Sequence, residues 1–339
     1  MQIYRYNINE ISKIDEKETD MIVKCIPDAA CVVKEFDGYN IKYAFHDIDG
    51  THSLIRDWPP VMSAVLNDVI VKGLPTDFDS PNNLKRLIDL CGKQSNKETD
   101  DFCIESAGLS ALTQMEWAIR RAAEEGTVKV AFDREDNRRK IDEIYGGREI
   151  FATPDSPELE KLLTDFTPRL FKFYEAVLNG YCRDRNLKLA YEDPERFRIP
   201  GSLDFLKYLK AKGVKNYFVT GAVVEKGMGM FEEAKALGFI DCPDAPVEDI
   251  VGSTWTDKVP KNIIMERLMK SLNASGSEIL VVGDGRSEIS AGVGMGALTV
   301  SRLPQNAEKQ RELHKKLGTD IIISDYNDFG FKIMFGETI

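Results

Sequence analysis

From residue 199 onward the chain alternates short apolar runs with helical segments of about ten residues, and no other feature of the sequence restricts its fold as strongly. Residues 202–212 carry a helical pattern closed by Gly213, 215–220 read as a strand, and 226–238 as a second helix. A strand at 249–253, a helix at 261–272 and a buried strand at 278–283 follow, and strands at 298–301 and 321–324 close the series. Strands separated by helices cannot be joined by tight turns, so the alternation predicts a parallel sheet with helices on both faces, an α/β fold. Nearer the start, the β-rich runs 31–36 and 39–45 are joined by Asp37-Gly38, a pair that accepts positive φ, and they predict a β-hairpin. Between residues 53 and 198 the pattern is nearly all helix and loop, with helical spacing over 59–72, 106–125 and 157–178. The expected organisation is therefore a Rossmann-like sheet domain made of residues 1–52 and 199–339, carrying an N-terminal hairpin extension. A mainly α-helical domain, residues 53–198, is inserted into it.

Several function classes are excluded early. A formal charge of −11 over 339 residues gives no basic surplus for gripping phosphate backbones, so no nucleic-acid partner is expected. No run approaches the roughly 20 apolar residues needed to cross a bilayer, and Met1-Gln-Ile-Tyr-Arg-Tyr6 lacks the form of a signal peptide, so the expectation is a cytoplasmic protein with no membrane partner. The six cysteines form no Cys-x-x-Cys pair, and three histidines are too few for a His-rich site. Any bound metal must then rest on carboxylates, which favour hard ions.

In an open parallel sheet, ligands sit beyond the carboxyl ends of the strands. The polar residues that follow the expected strands are Asp47 and Asp49, then Thr220, then Lys258 and Lys261, then Asp284 and Glu288. Together they offer carboxylates for a cation, a hydroxyl and an ammonium for phosphoryl oxygens, and a spare carboxyl group to move a proton.

Asp47-x-Asp49-Gly50-Thr51 after a strand, Phe218-Val219-Thr220-Gly221, a lysine ahead of a helix, and Val281-Val282-Gly283-Asp284-Gly285-Arg286-Ser287-Glu288 resemble, in that order, the four motifs of the haloacid dehalogenase (HAD) superfamily of phosphohydrolases. The resemblance covers residues 41–53 and 199–301. It implies that Asp47 is the nucleophile forming an aspartyl-phosphate and that Asp49 is the general acid and base. It further implies Mg²⁺ held by Asp47, Asp49, Asp284 and Glu288, and phosphate bound by Thr220, Gly221 and one of Lys258 and Lys261. An insertion directly after the first motif resembles the family's helical C1 cap. The substrate implied is a small phosphorylated metabolite. His52 replaces the apolar residue usual after Gly-Thr and is expected to pack or to hold a loop.

Within the insertion, Arg56 and Trp58 follow the first motif closely, and Gly108-x-x-Ala-Leu-Thr113-Gln114 joins polar groups to a permissive glycine, so Arg56, Trp58 and Gln114 are the candidates for specificity. Arg56 could clamp a carboxylate or a second phosphate, or else be an exposed arginine paired with Asp57 or a neighbouring acid. The run from Asp133 to Lys140 is expected to be solvated helix surface, and the size of the insertion allows either a roomy pocket or an oligomer interface. Gly292-x-Gly294-x-x-Ala297 matches a dinucleotide fingerprint but follows a helix and precedes a strand, the reverse of the required context, so it reads as helix termination. The leading function is a Mg²⁺-dependent phosphatase. The alternatives are a phosphomutase, a phosphonate hydrolase using a lysine such as Lys72 as a Schiff base, and a non-catalytic binding module; oligomeric state stays open.

Overall fold

The computed structural model describes residues 24–25, 30–34, 36, 38–151, 156–227, 229–254 and 259–327. Strands β1 (Lys24–Cys25), β2 (Ala30–Val32) and β3 (Tyr43–His46) come first, followed by helices α1 (Trp58–Lys72), α2 (Pro81–Leu90), α3 (Lys97–Glu105), α4 (Ala111–Glu125), α5 (Arg134–Tyr145), α6 (Pro157–Leu178) and α7 (Asp184–Glu192). The alternating part then runs α8 (Ser202–Ala211), β4 (Lys215–Val223), α9 (Gly229–Ala236), β5 (Val247–Ser253), α10 (Lys261–Ser271), β6 (Ile279–Gly283), α11 (Arg286–Met295), β7 (Leu298–Arg302), α12 (Glu308–Leu317) and β8 (Ile321–Ile323). The strand order is β1-β2-β8-β7-β6-β3-β4-β5, parallel from β8 to β5. The α/β expectation holds.

Strand β3 lies between β4 and β6, so the chain leaves it in one direction for β4 and β5 and returns on its other side for β6, β7 and β8. That reversal opens a crevice beyond the end of β3. Alternation along the central strands fills both faces: Ala44, Leu280 and Val282 enter one core with Phe205 and Leu209, while Phe45, Ile279 and Val281 enter another with Ile264 and Met265. Helices α1 to α6 bury a separate apolar cluster that includes Val65, Met115, Trp117 and Leu170, with Phe102 stacked on Trp117 at 3.8 Å.

Three local expectations are corrected. The runs 31–36 and 39–45 do not pair: β2 joins β1 and β8 antiparallel near one edge of the sheet, whereas β3 lies between two parallel neighbours. Gly38 does take positive φ, at 79°, but the buried centre of the sheet outcompetes a local hairpin for the second run; Glu35 and Asp37 lie outside the described residues. The helix expected from residue 106 begins at Ala111, because Gly108 adopts φ +87° and residues 106–110 form a loop. In α5, Asn137 and Lys140 are buried rather than solvated: Asn137 accepts from the Arg120 guanidinium at 3.1 Å, and Lys140 pairs with Asp136. The helix-termination reading of the 292–297 segment stands, since α11 ends there in a left-handed Gly296.

Candidate active site

The ends of the three central strands converge. Asp47 follows β3 directly, with its backbone amide continuing the ladder to the Val282 carbonyl at 2.9 Å, and Asp284 follows β6 in the same way. Thr220 and Gly221 lie within β4, which extends past the expected end at Thr220 to Val223. Lys261 opens α10 and reaches back under the crevice, its Nζ donating to Asp47 Oδ1 at 2.6 Å and to Glu288 Oε2 at 3.0 Å. Carboxylate oxygens of Asp47, Asp284 and Glu288 lie within 4.8 Å of one another. Thr51 donates to Asp284 Oδ1 at 3.0 Å, and Gly50, at φ +75°, leaves no room for a side chain because a Cβ there would stand 2.1 Å from Asp284 Oδ2. Glu288 is anchored by its helix, accepting from the Gly285 amide at 2.5 Å.

Burial sets the electrostatics. It raises Asp284 well above the usual carboxylate range, with the Asp47 and Glu288 charges adding to the rise. Burial also raises Asp47, against the opposing pull of the Lys261 charge. Burial alone would lower Lys261, but the Asp47 and Glu288 carboxylates hold it above its ordinary value, while Lys261 in turn keeps Glu288 low despite its burial. Three carboxylates thus crowd around one ammonium. This deficit of positive charge, presented by oxygen donors, fits a hard divalent cation.

Asp49 differs from Asp47. Its Oδ1 is buried without a hydrogen-bond partner among the described residues. Burial drives its pKa well up; the nearby Arg56 charge opposes this, and Glu233 and Asp47 reinforce it. A buried carboxyl group that holds its proton more tightly than usual is suited to donating it to a leaving oxygen.

Above the strand ends the inserted helices supply a wall. The cavity at the strand ends measures about 100 Å³ and adjoins a larger one of about 600 Å³ that shares Arg56, Trp58, Ala107 and Asp284 with it. Arg56, Trp58 and Gln114 all line the smaller cavity, as do Asp47, Asp49, Thr220, Gly221, Lys261 and Asp284; Phe171, Tyr174 and Glu175 of α6 complete the far side. Arg56 is not the exposed partner of Asp57. Its side chain is 6% exposed, its Nε donates to both Glu233 oxygens at 3.0 Å, and its Nη1 donates to Glu175 at 3.2 Å. Arg183 also reaches Glu233, at 2.9 Å. The Gln114 amide donates to Ser106 Oγ at 2.9 Å. Loop 106–110 comes down onto the site, where Ser287 Oγ donates to the Gly108 carbonyl at 2.6 Å; a Cβ on Gly108 would meet Ser287 and Glu288. Glu149 holds that loop by accepting from the Ser110 amide at 2.7 Å and from Thr113 Oγ1 at 2.8 Å.

Lys258 lies outside the described residues. Lys72 pairs with Asp68 on an exposed helix face and does not line the pocket. His52 is buried, stacked on Tyr326 at 4.8 Å and hydrogen-bonded to His46 at 3.1 Å, as a packing residue should be. Sequence reasoning missed Glu149, Glu175, Glu233 and Tyr174. Only Tyr174 had a signal, lying one helical turn beyond Leu170 on the apolar stripe of α6.

The sequence model of the haloacid dehalogenase-like hydrolases matches residues 119–296, more than half of the chain, taking in Thr220, Lys261, Asp284 and Glu288. No curated protein matches the chain. Among solved structures, a predicted phosphoglycolate phosphatase from Haemophilus somnus 129pt is similar at 16% identity and a TM-score of 0.46, covering 85% of this chain and 96% of its own. A predicted phosphatase from Clostridium acetobutylicum is similar at 13% identity and 0.47, over 87% and 98% of the two chains. A β-phosphoglucomutase from Clostridium difficile is similar at 14% identity and 0.44, over 86% and 95%. Among the described residues no helix is long and apolar enough to cross a membrane.

Proposed function

The chain belongs to the haloacid dehalogenase-like hydrolases, and from that premise we propose that it hydrolyses a small phosphate monoester through an aspartyl-phosphate on Asp47. We propose with it that residues 1–52 and 199–339 form the catalytic core and that residues 53–198 form a helical cap of the C1 type. The observation that carries the reading is the strand-end cluster, in which Lys261 bridges Asp47 and Glu288 while Asp284 stands beside them with no cation of its own among the described residues.

In this reading Asp47 attacks phosphorus in line, breaking the bond to the leaving oxygen, and Asp49 passes its proton to that oxygen. Asp49, now ionised, takes a proton from the water that cleaves the acyl phosphate. Thr220 and Lys261 hold the transferring oxygens, with Lys261 fixed in place by Glu288. Asp47, Asp284, the Asp49 carbonyl and Glu288 would hold Mg²⁺, whose chemistry when bound is to offset the repulsion between carboxylate and phosphate. Asp49 separates phosphoryl transfer from dehalogenation, which needs no acid at that position.

The alternatives have less support. Lys261 is the only lysine among the described residues lining the pocket, and its two carboxylate partners keep it protonated, so a Schiff base there is disfavoured. A mutase must hold a second phosphate on the cap side, where Arg56 is already paired with Glu175 and Glu233. A mere binding module has no need of buried, under-compensated carboxylates. The test is release of inorganic phosphate from 4-nitrophenyl phosphate: activity is expected with Mg²⁺ and is expected to vanish in EDTA. Undiminished turnover in chelator would remove the metal from the account.

A further inference from the structure

Resting on the phosphatase reading above, we propose that the pocket takes a phosphate monoester whose alcohol portion is apolar-faced and free of any second anionic group, and whose polar group donates to Glu175 and Gln114. An arginine five residues beyond the first motif invites the opposite conclusion, an anion clamp. The contacts remove that option. Arg56 meets two carboxylates at 3.0 and 3.2 Å, one of them on Glu233, which is fully buried, so its charge is already balanced within the protein. Among the described residues, an incoming carboxylate or phosphate would find no unpaired cation on this side of the pocket, only the acceptor oxygens of Glu175 beside an Arg56 that is already engaged.

The other cation of the pocket, Lys261, belongs to the strand-end cluster. On the cap side, Gln114 turns its amide nitrogen to the Ser106 carbonyl and hydroxyl, both of which can accept. Its carbonyl end is what remains for a ligand. Glu175 likewise offers only acceptors. The Tyr174 hydroxyl and the Trp58 indole N–H are neutral donors on this wall, and neutral hydrogen bonds do not replace the unpaired cation that a second, desolvated anion needs. The rest of the wall is Trp58, Met62 and Phe171, a surface for an apolar face.

The test uses two nearly isosteric esters, 2-phosphoglycolate and its uncharged amide, 2-phosphoglycolamide, assayed with Mg²⁺ by phosphate release. The amide is expected to exceed the acid by about tenfold or more in kcat/KM. Glu175→Gln is expected to shrink that ratio by about tenfold, because the wall then repels the acid less. A ratio at or below one in the wild type overturns the proposal. A fall of both esters in parallel in Glu175→Gln makes Glu175 structural and overturns its assigned role. If neither ester nor 4-nitrophenyl phosphate is hydrolysed, the phosphatase reading fails on its own, and calorimetric binding of the two esters to Asp47→Asn protein still decides the preference. Tighter binding of the amide supports it, and equal or tighter binding of the acid, or binding of neither, overturns it.

Discussion

At the strand ends Asp47, Asp284 and Glu288 share one ammonium, Lys261, whereas across the pocket Glu175 and Glu233 meet two guanidiniums, Arg56 and Arg183. Both clusters are buried, both join distant parts of the chain, and both lie beside Asp49. They differ in balance. The cap-side cluster cancels its own charge and so ties α6 and the residues after β3 to α9 of the core. The strand-end cluster does not cancel, and a buried excess of negative charge persists only where something else completes it. The difference teaches that an ionisable residue near a motif is assigned by its partners and not by its distance along the chain.

The largest effect that could break the comparison is on catalysis. Asp47→Asn keeps the shape but cannot attack phosphorus, and we expect a loss of about 10⁴-fold in kcat with an unchanged far-ultraviolet circular dichroism spectrum. Activity within a few fold of wild type would move the nucleophile elsewhere. On the balanced side, Glu233→Gln leaves the buried Arg56 and the partly buried Arg183 each short of one partner, and the unfolding free energy in a urea titration should fall by about 3 kcal/mol. A loss near zero would mean that the cluster is not a strut.

Buried histidines sharpen the same point, since a ring with no carboxylate partner is kept neutral. Burial pushes His314 down to about 4, with Ser301 Oγ 2.8 Å from its Nδ1, and pushes His46 to about 4 as well. The unfolded chain, whose histidines titrate near 6.5, then binds more protons than the fold between those values, so each histidine withdraws stability as pH falls from 6.5 toward 4. His314→Gln should therefore lose about 2 kcal/mol less than wild type between about pH 7 and pH 5. Equal losses would contradict the neutral buried ring. The smallest effect belongs to the exposed Lys97 and Asp101 pair: Lys97→Ala should leave the thermal midpoint unmoved, because solvent screens what burial does not enforce.

Legibility followed range along the chain. Asp47, Thr220 and Asp284 were visible because each sits at or within a strand that its own neighbours specify, and Lys261 because it opens a helix. The partners of Arg56 were not visible: Glu175 and Glu233 stand 119 and 177 residues away, and no local pattern marks them. Arg56 was therefore open to reading as an anion clamp. The Asp37-Gly38 turn misled in the same way, for a local signal predicted pairing that the sheet as a whole assigns to β8 and to the parallel neighbours of β3. Glu149 escaped notice as a lone acid after a glycine pair, although it fixes the loop that reaches the site.

The unbalanced cluster is tested most directly by titrating Mg²⁺ into the wild-type protein and into Asp284→Asn by isothermal calorimetry. The account predicts one site in the wild type and binding weakened by about tenfold or more in the variant, since the amide removes a charged oxygen donor from the set. No binding to the wild type, or equal binding to both proteins, would contradict it.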